Sequence, residues 1–432
     1  MDDAPKTLGF WSCWSLTVGC MIGSGVFLLP TVLAPYGLLS FGGWIIAGGG
    51  SIALALVFAR LASRITRSGG PYAYVQAAFG DFTGFLMGWT YWVSNWLGLP
   101  VVAIAFVGYL TVFVPALSTN PIAQAATALA VIWIFTLINI RGLKDASFVQ
   151  IAMTVLKIVP LVGIVAVAAA VGAPANLPTF NPSHTSIFSA LAATALLTLW
   201  PFTGFEMGTL PAGNVKDAQR TVPRALMIGM LTVTAIYLSA TTAVMLLVPA
   251  DQLVHSTAPF SDAARVVGAW GPLVVAAGAM VATAGTLNGL IFVCGQTAMA
   301  VAIDKLAPAA LAKTNKGGAP HVSVLLSSSL ASVFLLTNYS RGLIGAFTFL
   351  LMMATVTTLL PYLLCAIAEL RHSWRSAKAW SLVALIGCAY TVFASIGSGL
   401  EVFGWGVVLT LLGAPFYFVF RQKPAAALTP AS

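Results

Sequence analysis

Residues Gly19–Pro30 read GCMIGSGVFLLP and lie in the middle of the first long apolar run of the chain. Glycine and serine leave a helix more readily than most residues. In a bilayer each unsatisfied backbone group costs several kcal/mol, so a spanning helix is interrupted only beside protein or a water-filled cavity. The stretch therefore indicates either close helix packing, through the GxxxG pattern of Gly19 and Gly23, or a helix that opens onto a cavity.

Composition identifies the environment of the chain. Of its 432 residues, 59% are hydrophobic and only 7% are charged, whereas soluble domains carry about 25% charged residues. We therefore predict an all-α integral membrane protein. The five cysteines are scattered through apolar stretches without CxxC or Cys/His spacing. This pattern indicates neither a disulfide framework nor a metal site, and we expect no cofactor.

Twelve apolar stretches approach or exceed the roughly 20 residues that cross the hydrocarbon core. The first lacks a small-residue cleavage site, so we expect it to be retained as a membrane span. The predicted spans are Thr7–Ala34, Leu38–Leu61, Phe82–Phe113, Ile122–Ile140, Phe148–Val171, Ile187–Leu210, Ala225–Pro249, Pro272–Ile303, Val322–Leu336, Leu343–Ile367, Trp380–Ile396 and Phe403–Phe420.

The basic residues predict the orientation. Seventeen of the 20 Lys and Arg residues fall in alternate connections, and the exceptions are Arg265, Arg341 and Lys157. The positive-inside rule then places both termini in the cytoplasm. The net charge of +9 is thereby explained by topology, so we expect the lipid bilayer and no nucleic acid as a partner.

A second interruption lies in the sixth span, where Leu199–Gly208 reads LWPFTGFEMG. Interrupted helices at corresponding positions of two halves are the best sequence indicator of a transporter binding site. We therefore predict a single transporter domain with inverted five-helix repeats over 7–171 and 187–367. Two additional helices follow over 380–420, and 424–432 is a predicted disordered tail.

An opened helix has a specific binding chemistry. The start of the second half-helix offers unpaired N–H groups and a positive dipole end, which together suit a carboxylate. Carbonyl groups at the end of the first half-helix can accept hydrogen bonds from an ammonium group. Two opposed breaks therefore suit the zwitterionic head of an α-amino acid.

Four motifs carry a family resemblance over about 8–420: MIGSGVFLLP, GGPYAYVQAAFG (Gly69–Gly80), LWPFTGFE and GNVKDAQRTVPRA (Gly213–Ala225). The chain resembles the amino acid–polyamine–organocation (APC) transporters, and above all bacterial basic amino acid/polyamine antiporters such as the arginine/agmatine exchangers. The resemblance implies a LeuT-like fold, alternating access, an amino acid or amine as substrate, and no enzymatic activity. We also expect a homodimer.

The resemblance also implies the substrate contacts. Carried over to this chain, the substrate carboxylate meets Ser24, Gly25 and the backbone at Met21. The α-ammonium meets carbonyl groups around Trp200 and Thr203.

Two gates are implied in the same way. Trp200 matches an aromatic residue that closes over bound substrate in the exchangers. Tyr91, Glu206 and Tyr362 match a polar cluster that closes the cytoplasmic side.

The chain departs from the exchangers at several predicted binding positions. Leu290 replaces an aromatic residue that stacks on a cationic side chain, which removes a cation–π contact of about 1–2 kcal/mol. Leu99 and Ala354 stand where the exchangers carry polar contacts, although Thr358 remains. Lys157 replaces a small residue and matches a lysine of other permeases in the superfamily, near the sodium site of their sodium-coupled relatives.

Glu206 and Lys157 are the ionisable residues predicted deep within spans, and each costs about 2.5–3.5 kcal/mol at a helix centre. Such residues are functional candidates by default. Both are therefore candidates for coupling to protons, and a lysine ammonium can also replace a sodium ion. The alternative for both is a structural role in neutralising charge or bonding to broken-helix carbonyls.

Two substrate classes stay open. The overall likeness favours exchange of a basic amino acid for its amine, whereas Leu290 and Lys157 favour a sodium-independent permease or exchanger of neutral amino acids. An intramembrane metalloprotease is excluded because no span carries HExxH. A channel filter requires symmetric rings of ligands, which two unlike breaks do not supply.

Overall fold

The computed structural model describes residues 9–65, 71–141, 146–206 and 218–420. At 12, 16, 20, 24, 146–156 and 218–219 it describes the backbone only. Within these ranges every regular element is a helix, as expected where all backbone groups must be satisfied within a membrane.

The first half of the chain forms a short interrupted segment followed by long helices. Its α-helices are α1 (Phe10–Met21), α2 (Leu29–Leu33), α3 (Leu39–Arg64), α4 (Pro71–Phe79), α5 (Asp81–Leu110), α6 (Pro121–Arg141) and α7 (Ala146–Val171).

The second half again begins with a short helix. Its α-helices are α8 (Ile187–Leu199), α9 (Ala218–Leu247), α10 (Ala250–Leu253), α11 (Pro259–Ala263), α12 (Trp270–Ile303), α13 (His321–Asn338), α14 (Gly342–Ser373), α15 (Lys378–Ile396), α16 (Gly399–Leu411) and α17 (Gly413–Phe420).

Eight stretches of the described chain are helical, long and apolar enough to cross a membrane. One of them, 321–373, contains two helices, α13 and α14, joined by the short turn Tyr339–Arg341. Shorter apolar helices occupy Lys157–Val171 and Ile187–Phe202. The chain is thus a multi-pass membrane protein, and the count of twelve spans stays a prediction. The predicted tail at 424–432 lies outside the described residues.

The core lies around α5, which packs against α12 and α14. On the other side, α3 packs against α8, α9 and α15, and α1 packs against α9. The interrupted segment after α1 contacts both α5 and α12, as well as the turn that follows α8. The two interruptions therefore meet at the centre of the helix assembly.

An ion cluster joins α3 to α14. The carboxylate of Glu369 is fully buried, with Arg60 Nε 2.8 Å from Oε1 and Arg64 Nη1 2.8 Å from Oε2. The Arg60 guanidinium also lies 4.3 Å from the ring centroid of Trp380 on α15. Three helices are thus tied together where the sequence predicts their cytoplasmic ends.

Candidate functional site

The first interruption begins directly after Met21. Ile22 is extended (φ −70°, ψ 96°), a short 3-10 turn occupies Ser24–Val26, and α2 resumes at Leu29. The helix runs through Gly19 and opens after it, as the cavity interpretation of this stretch requires. The backbone of Ser24 is described, but its side chain lies outside the described residues.

The glycines of this interruption permit close approach. A β-carbon at Gly23 would lie 2.8 Å from Thr286 Oγ1. A β-carbon at Gly25 would lie 2.9 Å from Trp200 Cδ1 and 3.1 Å from Pro201 Cα. Neither glycine has a positive φ angle. Glycine is therefore needed here because a side chain would collide with neighbouring residues, and not because the backbone angle is unusual.

The second interruption follows α8. A 3-10 turn occupies Trp200–Phe202, Thr203 is extended (φ −60°, ψ 146°), and Gly204 has a φ angle of +97°. The Trp200 carbonyl accepts hydrogen bonds from Thr203 N at 3.1 Å and Thr203 Oγ1 at 2.7 Å. A carbonyl oxygen has two lone pairs. In this conformation both are used within the turn, so an ammonium group would have to compete with Thr203 for this acceptor.

A tyrosine from α9 links the two interruptions. Tyr237 is fully buried, and its hydroxyl donates to the carbonyl oxygen of Met21 at 2.7 Å. The same hydroxyl lies 3.4 Å from the carbonyl oxygen of Pro201. Its ring packs against Trp44 and Phe202, with centroids 5.5 and 5.8 Å away. Tyr237 thus supplies a hydrogen-bond donor to a carbonyl group at the end of α1.

A second tyrosine supports the far side of the first interruption. Tyr109 on α5 donates to the carbonyl oxygen of Phe27 at 2.8 Å and accepts from Phe260 N at 3.3 Å. Sequence analysis missed both tyrosines. Each is a tyrosine in an apolar span, and a buried tyrosine O–H normally finds a hydrogen-bond partner. That pattern could have marked both as donors to backbone carbonyl groups.

The indole of Trp200 is buried, with 8% of the residue exposed, and lies between Gly25 and α5. A β-carbon at Gly98 would lie 2.6 Å from Cη2 of Trp200 and 3.5 Å from a methyl carbon of Leu290. Gly98 is a position that sequence analysis missed. Two glycines on different segments therefore form a slot in which the indole lies, and Leu290 borders that slot.

The remaining predicted binding residues lie on helices of the core. Leu99 and Ala354 are fully buried, and Thr358 is nearly so. The Thr358 hydroxyl donates to the Ala354 carbonyl at 2.9 Å, so in this conformation it is bonded within its own helix. Their contact with substrate stays a prediction.

The three residues predicted to form a polar gate lie in one hydrogen-bond network. Tyr91 donates to Glu206 Oε1 at 2.7 Å, and Tyr362 donates to Glu206 Oε2 at 3.0 Å. The backbone N–H of Gly204 also donates to Oε2, at 3.1 Å. Glu206 is 5% exposed. Donors from α5, α14 and the second interruption thus converge on one buried carboxylate, as a charged acceptor requires.

Aromatic rings pack around this network. Phe58 lies edge-on to Phe205 and Tyr362, with centroids 5.4 and 5.3 Å away, and Phe205 lies 5.1 Å from Tyr362. These contacts join α3 to the same segments, so the carboxylate lies in an apolar surrounding. These hydrogen bonds and ring contacts could hold the cytoplasmic side of the transporter closed. The gating role of these residues stays a prediction.

The second predicted ionisable residue, Lys157, lies on α7, and 5% of it is exposed. The helix packs against α9 and α12. A buried ionisable side chain on an apolar helix is a functional candidate. Whether it replaces a cation or carries a proton stays a prediction.

Comparison with known proteins identifies the family. The amino acid permease family model matches residues 8–420. The cadaverine/lysine antiporter of Escherichia coli (strain K12) is 30% identical over 434 residues, which cover 96% of this chain and 95% of the relative. A putative arginine/ornithine antiporter of Bacillus subtilis (strain 168) is 30% identical, with 98% of each chain covered.

The putrescine transporter PotE of E. coli (strain K12) is 31% identical over 412 residues, with 93% of each chain covered. The family model, which spans residues 8–420, includes every helix of the described residues. The chain therefore belongs to the amino acid permease family of the APC superfamily, and it is a transporter, not an enzyme.

Proposed function

We propose that this transporter exchanges a basic amino acid for its decarboxylated amine by alternating access. The names of the three relatives support an antiporter of amino acids and amines. Arginine with agmatine and lysine with cadaverine are both pairs of this kind. The resemblance to arginine/agmatine exchangers favours arginine and agmatine as the preferred pair.

The observation that carries the proposal is the contact between the two interruptions. Gly25 lies against Pro201 and the Trp200 ring, so the turn Ser24–Val26 and the turn Trp200–Phe202 face one another. The first turn can offer backbone N–H groups to a carboxylate, and the second can offer carbonyl groups to an ammonium. The zwitterionic head of an amino acid requires both within a few ångströms.

The two predicted gates, Trp200 and the network around Glu206, lie close to the contact between the interruptions, as alternating access requires. Trp200 lies directly against the first interruption, and Glu206 lies six residues further along the same segment. In the proposed cycle, Trp200 covers bound substrate, and release of Tyr91 and Tyr362 from Glu206 opens the cytoplasmic side.

The exchange has a definite charge balance. Decarboxylation of a basic amino acid consumes one proton, and the amine product carries one more positive charge than the amino acid at neutral pH. Each turn of amino acid in and amine out therefore removes one positive charge from the cell. We propose that the protein lies in the inner membrane with both termini in the cytoplasm and with twelve spans, ten of them in two inverted repeats.

A neutral amino acid permease is the second candidate, because Leu290 borders the Trp200 slot. An apolar residue there suits an apolar substrate side chain better than a guanidinium. The buried Lys157 also fits a sodium-independent neutral permease in this interpretation.

Proteoliposomes test the proposal. The purified protein is reconstituted into vesicles preloaded with arginine, lysine, agmatine, cadaverine or buffer alone, and uptake of labelled arginine, lysine and leucine is followed in parallel. We expect uptake of a basic amino acid that requires a preload and that the matching amine accelerates. Vesicles without protein serve as the negative control.

Three outcomes would contradict the proposal. Leucine uptake without a signal for arginine or lysine would establish the neutral permease. Uptake that is equal with and without preload would exclude obligatory exchange. A flux that does not saturate would indicate a channel.

A further inference from the structure

Two cavities meet at one arginine where the sequence predicts the cytoplasmic ends of α1, α3, α9 and α15. The first has a volume of about 390 Å³ and is lined by Phe10, Arg220, Thr221, Arg224 and Ile228. Two guanidinium groups therefore share a space with an aromatic and an aliphatic side chain. Arg220 and Arg224 are one helical turn apart on α9, so both can point at the same ligand.

The second cavity has a volume of about 350 Å³ and shares Arg224 with the first. Every other residue that lines it is apolar or aromatic, including Leu56 on α3, Met227 on α9, and Trp380 and Val383 on α15. Because α3 packs against both α9 and α15, the cavity is a groove between helices. A polar compartment and an apolar groove are thus joined at one side chain.

The two arginines have no carboxylate partner within the part of the chain that the structure describes. Both are exposed. By contrast, Arg60 and Arg64, at the end of neighbouring α3, are both paired with Glu369. Within the described residues, no ion pair neutralises the charge of the first cavity.

The surrounding surface is apolar on the side that continues along α9. Met227, Ile228 and Leu231 are 39%, 40% and 53% exposed. On α15, Leu382 and Ile386 are 58% and 46% exposed. Exposed aliphatic side chains on a helix that can cross a membrane are suited to lipid, and Arg220 begins the apolar helical stretch Arg220–Leu247. We therefore expect the basic cavity to lie at the boundary between hydrocarbon and headgroups.

We propose that these cavities form a binding site for an anionic phospholipid. Arg220 and Arg224 hold the phosphate, since the guanidinium fork matches phosphate oxygens. An acyl chain follows the groove along Met227, Val383 and Trp380. A free phosphate would use only the first cavity, so the apolar groove beside Arg224 favours the lipid.

Native mass spectrometry of the purified full-length protein tests the site. The protein is titrated separately with dioleoylphosphatidylglycerol, dioleoylphosphatidylcholine and inorganic phosphate. The double variant Arg220→Gln/Arg224→Gln is compared with Arg371→Gln/Arg375→Gln. The control pair has the same spacing, is exposed, and is predicted to lie on the same membrane side, but it lines neither cavity.

We expect the first double variant to bind phosphatidylglycerol about tenfold more weakly or worse, because each basic residue near a membrane surface contributes about 1 kcal/mol. The control variant should bind it like the wild type, and phosphatidylcholine should bind weakly to all three proteins. Equal losses in both double variants would overturn a specific site. Binding of inorganic phosphate as tight as that of the lipid would assign an anion site and overturn the lipid proposal.

Met227→Gln tests the groove without removing charge. Met227 is partly exposed, and glutamine has similar length and helix propensity, so the variant should fold. We expect about threefold or greater weakening for phosphatidylglycerol and no change for inorganic phosphate. Unchanged lipid binding in this variant would show that no acyl chain occupies the groove.

Discussion

The Tyr237 hydroxyl donates a 2.7 Å hydrogen bond to the carbonyl oxygen of Met21, so a residue of α9 terminates a helix that lies more than 200 positions earlier. An opened helix leaves carbonyl groups without partners, and in hydrocarbon such groups are costly. The bond removes that cost at one carbonyl. It also fixes the end of α1 relative to α9 and to the turn at Pro201.

Tyr237→Phe is expected to keep the ring packing against Trp44 and Phe202. It loses the hydroxyl, with its hydrogen bond to Met21 and its longer contact to the Pro201 carbonyl oxygen. A buried acceptor without a partner costs about 1–3 kcal/mol. We expect the melting temperature to fall by a few degrees and the KM for substrate to rise about five- to tenfold, because the first interruption loses its fixed position. Thermal unfolding in detergent and exchange kinetics measure both. A variant with wild-type KM and stability would show that the bond is incidental.

Gly98→Ala is expected to impair transport through Trp200. The added methyl carbon would lie 2.6 Å from Cη2 of the indole, so the ring must move out of its slot. We expect turnover to fall about tenfold. Gly49→Ala is the matched control on α3, where a β-carbon meets nothing within 4 Å.

The double variant Gly98→Ala/Trp200→Phe distinguishes a lost slot from a general packing defect. A smaller ring leaves room for the methyl group, so the two substitutions should be non-additive. Additive losses of exchange activity would contradict the direct contact as the cause.

Glu206→Gln is expected to keep the fold and lose exchange. Glutamine can still accept from one tyrosine and donate to the other, but it removes the charge that three donors now satisfy. We expect the exchange rate to fall at least about tenfold, while the melting temperature changes little. Glu206→Ala and Trp200→Ala are also expected to impair transport in folded protein. Normal uptake by both alanine variants would refute the site assignment.

Lys157→Ala tests whether an ammonium group replaces a cation. We expect wild-type uptake to be unchanged when choline replaces sodium, and the variant to lose about tenfold in rate or to become stimulated by sodium. Uptake assays in the two salts measure this. Sodium dependence of the wild type, or normal uptake by the variant in choline, would leave Lys157 with a structural role only.

Glu369→Gln is expected to destabilise the protein more than Glu401→Gln. Glu369 is fully buried and bonded to Arg60 and Arg64, whose side chains are 18% and 29% exposed, so loss of its charge should cost about 1.5–3 kcal/mol. The pair Arg341–Glu401 is 2.6 Å apart but exposed, so its loss should cost less than about 1 kcal/mol. Melting temperatures of both variants under the same conditions decide the comparison, and equal shifts would contradict a special role for the buried cluster.

The positions of both interruptions follow from local sequence, because glycine and proline act where they stand. The grouping of Tyr91 and Tyr362 with Glu206 was predicted from the family resemblance, and the structure joins the three by hydrogen bonds. Tyr237 and Gly98 were not predicted, since each acts on a partner more than 100 residues away. One sequence shows that an exposed carbonyl needs a donor, but it does not show which helix brings that donor.

The interruptions also affect how the chain is made. With 12 residues in α1 and 13 in α8, these half-helices measure about 18 and 20 Å, against about 30 Å of hydrocarbon. Neither can cross alone, and α1 packs chiefly on α9, which lies in the second half of the chain. Helix α1 therefore reaches its final partner only after α9 has been translated. Interruption of this helix thus makes the final packing of α1 a late step of biogenesis.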